Sequence, residues 1–305
     1  MRELLTPKQV ARAIQVSESS VKRWCDSGTI TTQYTAGGHR RIPLSGLMQF
    51  LRASRHTLIR PEVVGLPVAS GQTQRIVDRG ADLLIDALLA GDELRCRRCI
   101  VDLYLGEHSI SAICDHVIAK AFEAIGERWV CGEAEIYQER YGCEIAGRLL
   151  GELASYVPAP PSDSPCAIGA SVEGDVSRLP TAMVELVLRD AQWDARSLGS
   201  DLPFETLAAA IRNHRPQLFW LSCTYLRDES CFLQRYAALY DEFGPAVPFV
   251  VGGRALTADV RQKMQYTAYC DNMAHLESCA RTLVRTSARC SSDDPAPDSS
   301  PVSTA

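Results

Sequence analysis

The feature that most constrains this chain is a helix start near its N-terminus that is followed closely by a second one. Thr6 can cap a helix, Pro7 loses no amide donor at the first helical position, and the Gln9 side chain can reach back to the cap. Val10 and Ile14 then supply an apolar face. The spacing predicts a short amphipathic helix that ends before the next start.

The second helix start lies at Ser17. Val21 and Trp24 fall on one side of this helix, serine and basic side chains fall on the other, and Gly28 ends it. Two short helices joined by a tight turn predict a helix-turn-helix, whose second helix presents its polar side to DNA.

A small wing is predicted directly after these helices. Thr29–Tyr34 is rich in Thr and Ile and indicates a strand, Gly37-Gly38 permits a tight turn, and His39–Ile42 indicates the return strand. A third helix begins at Pro43. The sequence therefore predicts a winged helix with basic residues on the tip and return strand of the wing.

Charge is concentrated in this N-terminal region. Residues 1–60 carry ten Lys and Arg against three Asp and Glu, whereas the whole chain has a formal net charge of −5. An acidic protein with one basic end is typical of phosphate binding at that end. The alternative is a basic, solvated face that binds another protein.

The segments Lys22-Arg23-Trp24 and Thr35-Ala36-Gly37-Gly38-His39-Arg40-Arg41 resemble the recognition helix and the wing of MerR-type DNA-binding domains. Cations are expected at phosphates and the serines of the second helix nearest to base edges. The predicted DNA-contacting residues are Ser17, Ser19, Ser20, Lys22, Arg23, Thr35, Gly38, His39, Arg40 and Arg41.

No apolar run reaches the length of a membrane span, and the N-terminus lacks the layout of a signal peptide.

The 12 cysteines are scattered through helical and strand patterns as small apolar residues, which indicates a reducing cytoplasm. Cys96 and Cys99 form a lone CxxC with no second pair and no nearby His, so we expect no zinc site.

The rest of the chain divides by composition and periodicity. We predict a winged helix over 1–56, a linker over 57–72, a four-helix bundle over 73–157 and a second linker over 158–165. Residues 166–288 alternate buried strands with helices, which predicts a flavodoxin-like, doubly wound parallel sheet. Residues 289–305 have little to bury, so we expect a disordered tail. The fold class is thus multidomain, α and α/β.

This order of domains resembles the cobalamin-dependent photoreceptor repressors of the MerR family. Pro216–Leu226 is similar to the family's strand and Ser-rich loop that accepts the nucleotide tail of the corrinoid, and Pro248–Leu256 is similar to its strand and Gly-Gly turn. The resemblance implies corrinoid contacts at Trp129, Ile136, Glu139, Arg140, Asp175, Ser177, Leu179, Ser222, Thr224, Gly252 and Gly253.

Two departures from that family bear on the metal. Ser177 stands where the family's acid-x-His-x-x-Gly motif has its lower cobalt ligand, and Arg140 stands where the bundle has a second His. A hydroxyl and a protonated guanidinium cannot replace imidazole on cobalt. We therefore expect cobalamin without a protein histidine ligand, a haem or bilin bound in the same groove, or no cofactor.

Plainer interpretations stay open for these residues. Trp129 is compatible with a core position, and Glu139 with Arg140 is compatible with a structural ion pair on a face directed into the bundle.

No nucleophile elbow, phosphate loop or paired carboxylates are found, so we expect no enzyme. The expected function is a DNA-binding regulator that senses a ligand or light. The alternatives are a haem or bilin sensor, or an apo regulator acting through oligomerisation or protein interaction. The expected partners are an operator duplex, further copies of the chain and a tetrapyrrole, with no membrane.

Overall fold

The structure, a computed structural model, describes residues 4–54, 56–67 and 71–290. It contains a winged head, a helical bundle and an α/β domain in that order, which confirms the predicted fold class. The elements of the head are β1 (Leu4–Leu5), α1 (Pro7–Ile14), α2 (Glu18–Asp26), β2 (Gln33–Tyr34), β3 (Arg40–Pro43) and α3 (Leu44–Ser54). Its three strands pair antiparallel in the order β1-β3-β2.

Both predicted helix starts of the head are present. Thr6 Oγ1 accepts the Gln9 amide at 3.2 Å and Gln9 Oε1 accepts the Thr6 amide at 2.9 Å, which completes a capping box around Pro7. Ser17 caps α2 by accepting the amide of Ser20 at 3.1 Å. These caps fix the tight turn between the helices.

The first wing strand is shorter than predicted. Only Gln33 and Tyr34 of the range 29–34 are in β2. Ile30 is fully buried in the head and donates its amide to the Trp24 carbonyl at 3.1 Å. The backbone of Thr31 lies against Gly46 of α3, where an added Cβ would be 3.0 Å from the Thr31 carbonyl oxygen. Core packing therefore overrides the strand propensity of this segment.

The central part of the predicted linker over 57–72 packs against the head. The amides of Ile59 and Arg60 both donate to the Ala13 carbonyl at 2.9 Å, and a short 3₁₀ turn follows at Pro61–Val63. Val64 is buried in the core that the head shares with the bundle. Apolar residues within the segment thus attach it to α1 rather than leaving it extended.

The bundle contains one more irregularity than its sequence predicts. Its helices are α4 (Gln74–Leu89), α5 (Glu93–Leu105), α6 (Ile110–Ile113), α7 (Lys120–Val130) and α8 (Ile136–Tyr156). A π turn at Cys114–Ala119 joins α6 to α7, so the two helices are continuous but widened at their junction. Helix α8 begins at Ile136, because Glu135 and Gln138 form its capping box.

The α/β domain has five parallel strands in the order β5-β4-β6-β7-β8. This order of first to fifth strand, 2-1-3-4-5, is the flavodoxin-like arrangement. Its elements are β4 (Cys166–Ser171), α9 (Leu179–Asp190), β5 (Asp194–Ser197), α10 (Phe204–His214), β6 (Leu218–Ser222), α11 (Glu229–Phe243), β7 (Phe249–Gly252), α12 (Ala258–Arg261), β8 (Ala268–Cys270) and α13 (Met273–Cys290). Residues 289 and 290 thus belong to α13, and the remainder of the predicted tail lies outside the described residues.

The bundle packs on the α9 and α13 side of the sheet. Asp115, in the π turn, accepts the amides of Met273 and Ala274 at 2.8 and 2.9 Å and so caps α13. The head in turn sits on α8, where Gln49 Nε2 donates to the Ser155 carbonyl at 2.9 Å. None of the helices in the described residues is long and apolar enough to cross a membrane.

Candidate DNA-binding and effector sites

The outward side of α2 carries the predicted DNA-contacting residues. Ser19 and Arg23 are exposed, and Lys22 Nζ lies 2.8 Å from Glu18 one turn earlier. The hydrogen bond from Lys22 lowers the pKa of Glu18. Ser17 has a different position from the one its prediction implies, since its hydroxyl caps α2 and also lies 2.8 Å from the hydroxyl of Ser19.

The wing turn is shaped by Thr35 and Gly38. Gly38 has a φ of +73°, and Thr35 Oγ1 accepts the amide of His39 at 3.2 Å across the turn. Arg41 Nη1 donates to the Arg40 carbonyl at 3.0 Å, which directs its guanidinium back along the strand. Thr35 and Gly38 therefore support the tip that presents His39.

Arg40 joins the wing to the recognition helix. Its Nε and Nη2 donate to Asp26 Oδ1 at 3.0 and 2.7 Å. The hydrogen bond that Arg40 donates to Asp26 raises the pKa of Arg40. Exposed Tyr34 lies beside it, with the Arg40 guanidinium carbon 5.9 Å from the ring centroid. Sequence reasoning missed Asp26 and Tyr34, because their roles depend on how the wing folds back.

Asp175 organises the carboxyl edge of the sheet. It is fully buried, and its Oδ1 accepts the amide of Ser177 at 3.0 Å. Its Oδ2 accepts the amides of Thr224 and Tyr225 at 2.5 and 3.3 Å. The structure thus brings the predicted residues Asp175, Ser177 and Thr224 together, in an arrangement that already uses both carboxylate oxygens. The Thr224 hydroxyl is buried and has no hydrogen-bond partner among the described residues.

The two glycines after β7 allow close contact between loops. A Cβ on Gly253 would lie 2.3 Å from the Cys223 carbonyl oxygen, and the Cys223 amide donates to the Gly252 carbonyl at 2.8 Å. Burial raises the pKa of the Cys223 thiol well above its usual value. Ser222, just before it, is only 5% exposed. The loops after β6 and β7 are therefore bonded directly to each other.

The side of the sheet below Ser222 is filled by Trp220, which the sequence did not single out. The indole is 1% exposed, and its Nε1 donates to Thr181 Oγ1 at 3.0 Å. Thr181 lies in the first turn of α9, next to the predicted residue Leu179, which is also buried.

The bundle residues do not lie as predicted. Trp129 is 50% exposed, Ile136 is 55% exposed and the Arg140 side chain is 67% exposed, so this face does not point into the bundle. The reason is that the core of α8 begins only at Gly142, where Phe122 and Leu88 lie 3.6 and 3.7 Å from the position of a Cβ.

The ion pair between Glu139 and Arg140 is loose, with 3.5 Å between Glu139 Oε2 and Arg140 Nε. Within 4–54, 56–67 and 71–290, no hydrogen bond or ion pair joins this bundle face to the loops at Asp175, Ser222 or Gly252. The two halves of the predicted corrinoid site are therefore not bonded to each other.

These side chains do not fit a cobalt ion ligated by histidine. Ser177 offers a hydroxyl whose neighbouring backbone is already held by Asp175, and Arg140 offers no lone pair. Over the described part of the chain, no group of three or more His, Cys, Asp or Glu is arranged to hold a metal ion.

A further missed residue is Arg52, which connects all three domains. It lies on α3 of the head, 3.8 Å from Asp190 on α9, and its guanidinium carbon is 4.6 Å from the ring centroid of Tyr104 on α5. One guanidinium nitrogen, Nη1, is buried with no partner among the described residues. Burial raises the pKa of Asp190, and Arg52 offsets part of that effect.

Comparison with known proteins agrees with this division of the chain. Residues 4–55 match the family model of a helix-turn-helix domain, and residues 81–153 and 165–276 match two models described as B12 binding domain. The chain therefore joins an N-terminal helix-turn-helix domain to two domains of B12-binding type. No curated protein sequence matches the chain significantly.

Several solved structures align with the chain, and the first of these shows a similar fold. The monomethylamine corrinoid protein of Methanosarcina barkeri aligns with a TM-score of 0.56 and 16% identity, over 70% of this chain and 100% of that one. A cobalamin-binding protein of Desulfitobacterium hafniense DCB-2 aligns at 18% identity and a TM-score of 0.36, covering 67% of this chain and 97% of that one. The methanol:cobalamin methyltransferase complex of M. barkeri aligns at 15% identity and a TM-score of 0.38, covering 77% of this chain and 88% of that one.

Proposed function

We propose that this chain is a DNA-binding transcriptional regulator of the MerR type, with the bundle and the α/β domain as its effector module. The observation that carries the proposal is the pair of hydrogen bonds from Arg40 to Asp26, which holds the wing on the recognition helix. Helix and wing then approach DNA as one preformed surface, which suits a duplex better than a flexible basic tail does.

The head binds one half-site, and two or more copies of the chain bind paired half-sites. Self-association belongs to the bundle and the α/β domain, because the acidic balance of the chain beyond residue 60 disfavours a second DNA contact there. Light scattering on the full chain tests this step, and a monomer at high micromolar concentration would remove it.

The effector module senses a ligand or light through the exposed bundle face at Trp129, Ile136 and Arg140. An exposed indole and an exposed aliphatic side chain suit the face of a flat tetrapyrrole, and the planar guanidinium of Arg140 suits a carboxylate such as a haem or bilin propionate. A cobalamin that keeps its own base on cobalt uses the same face without a protein ligand.

A second candidate is an apo regulator that responds to a protein partner or to its own oligomeric state. The buried side chain of Trp220 favours this second candidate. It fills the space just inside the carboxyl ends of the strands, which is where an open α/β sheet binds its ligand. The exposed Val130 and Tyr137, at 78% and 70%, offer apolar area on the bundle for such a contact.

The DNA-binding proposal is tested by selecting duplexes from a random pool and measuring affinity for the enriched sequence. An Arg23→Ala variant should bind that duplex more weakly and with a smaller salt dependence, by about one unit of log–log slope. An exposed arginine outside the head, Arg128, provides the matched control, since Arg128→Ala should change neither quantity. Failure to enrich any sequence would contradict the proposal.

The effector proposal is tested separately by absorption spectra of the purified chain with haem, biliverdin, hydroxocobalamin and adenosylcobalamin. A spectral change that Arg140→Ala abolishes supports a carboxylate-bearing tetrapyrrole. A spectrum typical of histidine-ligated cobalamin contradicts the proposal that no protein histidine ligates cobalt in this module. The absence of any change with all four compounds favours the second candidate.

A further inference from the structure

The indole of Trp220 lies directly on the backbone of the neighbouring strand. Trp220 on β6 is the register partner of Gly169 on β4. A Cβ on Gly169 would lie 2.2 Å from Cδ2 and 2.3 Å from Cγ of the indole, which leaves no room for any side chain there. Gly169 therefore has a packing role, and it lets the ring lie flat against the sheet.

The polar edge of the indole is satisfied by the helix that covers it. Nε1 donates to Thr181 Oγ1 at 3.0 Å, and the Thr181 hydroxyl lies 3.1 Å from that of Ser197 on β5. Trp220 and Thr181 are both 1% exposed. This chain of contacts crosses from β6 through α9 to β5 and closes the space between the sheet and α9.

The position of the Trp220 side chain matters because Ser222 lies above it on the same strand. Ser222 and Trp220 are two residues apart in β6, so their side chains lie on the same face of the sheet. In the family that the chain resembles, the loop at Ser222 receives the nucleotide tail of the corrinoid. A tail that passed Ser222 into the domain on this face would meet Trp220 as the next side chain inward.

The first turn of α9 narrows the same entrance. Pro180 stands where the resembling motif has its glycine, and α9 begins at Leu179, only four residues after Asp175. Asp175 itself is tied to the loops after β4 and β6 by amide hydrogen bonds. The Asp175 carboxylate at this entrance is thus already hydrogen-bonded, whereas the buried Thr224 hydroxyl in the loop after β6 has no partner among the described residues.

We infer that Trp220 excludes the detached nucleotide tail of a corrinoid from this domain. The space for the tail has become part of the hydrophobic core, and a corrinoid can be held only through its ring, outside the sheet. Trp220 is therefore the residue that decides which part of such a ligand the domain accepts. This inference concerns the α/β domain alone and does not depend on DNA binding by the head.

The experiment compares hydroxocobalamin with cobinamide, a corrinoid without the nucleotide tail, and adds the free ribonucleoside of dimethylbenzimidazole as a third probe. Calorimetry on the full chain should give equal affinities for the two corrinoids, within about threefold, and no binding of the nucleoside. Trp220→Ala should bind the nucleoside, as engineered apolar cavities bind small aromatic molecules. It should also favour hydroxocobalamin over cobinamide by about tenfold or more.

Trp193 provides the matched control. It is equally buried on the same side of the sheet, but it precedes β5 and donates to the Ala280 carbonyl at 3.3 Å, away from Ser222. Trp193→Ala should gain neither preference. If Trp220→Ala does not fold, Trp220→Val keeps more of the core and carries the same expectation.

Two results would overturn the inference. The first is a preference of the unaltered chain for hydroxocobalamin over cobinamide, or its binding of the nucleoside. The second is a folded Trp220 variant that gains no binding of the nucleoside, because the space under the indole would then not be a channel for the tail.

Discussion

Arg40 on the return strand of the wing donates two hydrogen bonds to one carboxylate oxygen of Asp26 at the end of the recognition helix, at 3.0 and 2.7 Å. Both side chains are partly exposed, so the pair contributes little to the stability of the fold. Its effect is on geometry, because it sets the angle between wing and helix before DNA arrives. Because Asp26 already neutralises part of its charge, we expect Arg40 to position the wing rather than to bind phosphate.

The first prediction separates these two roles through salt dependence. Arg23→Ala should lower the slope of log affinity against log salt by about one unit, whereas Arg40→Ala should lower affinity with a smaller change in slope. Asp26→Asn should raise the slope, because it releases the Arg40 charge to a phosphate. The measurement is a titration of the selected duplex at several salt concentrations. Equal losses of slope for Arg23→Ala and Arg40→Ala would show that Arg40 leaves Asp26 on DNA.

The second prediction concerns Ser17, whose hydroxyl caps α2 through the Ser20 amide. Ser17→Ala should destabilise the helix by about 1 kcal/mol, because one end amide loses its acceptor. Ser17→Asp keeps an acceptor and should preserve stability, yet it should weaken DNA binding by adding a negative charge. Thermal melts followed by circular dichroism, together with duplex titrations, distinguish the two. A Ser17→Ala variant that melts like the unaltered chain would contradict the capping role.

Local sequence signals predicted the helices and strands of the fold well. Thr6, Pro7 and Gln9 define a helix start within four residues, and the structure forms that capping box. The strand predicted within Pro216–Leu226 is present at Leu218–Ser222, and every residue in it is buried. Such signals depend on residues within one or two turns of each other, so they can be predicted from the sequence.

What the sequence could not show are contacts between distant residues. The hydrogen bond from Trp220 to Thr181 joins residues 39 positions apart and depends on how α9 lies over the sheet. The exposure of Ile136 depends on where neighbouring helices begin to cover α8, which periodicity alone does not reveal. The corrections to the candidate site arise from relations of this kind.

The third prediction is a pH dependence that comes from Asp190. Burial raises its pKa in the folded chain, so the folded state keeps this proton at pH values where the unfolded chain, near about 3.9, has released it. The stabilising contribution is therefore fully present below the unfolded pKa and is lost as pH rises through the folded pKa. The charged groups that act on Asp190 are Arg52, Glu277 and Arg281.

Asp190→Asn cannot ionise and should isolate this effect. The unfolding temperature of Asp190→Asn minus that of the unaltered chain should increase as pH rises from about 4 and then level off above the folded pKa. In a background of Arg52→Ala the rise should still begin at about pH 4 but should become larger and extend to higher pH, because loss of the nearby cation raises the folded pKa of Asp190 further. A difference that decreases with pH would reverse the assigned direction of the pKa shift.

The last prediction is that Arg52 couples the position of the head to the α/β domain. Its guanidinium lies 3.8 Å from Asp190 and stacks over Tyr104 at 4.6 Å, so one side chain of the head contacts both other domains. The cost of Arg52→Ala alone should be small, because the substitution also removes a buried nitrogen that has no hydrogen-bond partner among the described residues. The coupling between the two residues is therefore the informative quantity.

A double-mutant cycle with Arg52→Ala and Asp190→Asn measures that coupling. Amide hydrogen exchange should be followed in α3 and in the last turn of α9, since it reports local opening in a chain with several domains. We expect a coupling free energy of about 1 kcal/mol in both segments, as found for residues in direct contact. Arg60→Ala is the matched control, because Arg60 forms a surface ion pair with the nearby Glu62. Additive effects of the two substitutions, within about 0.3 kcal/mol, would show that head and α/β domain are not coupled through this pair.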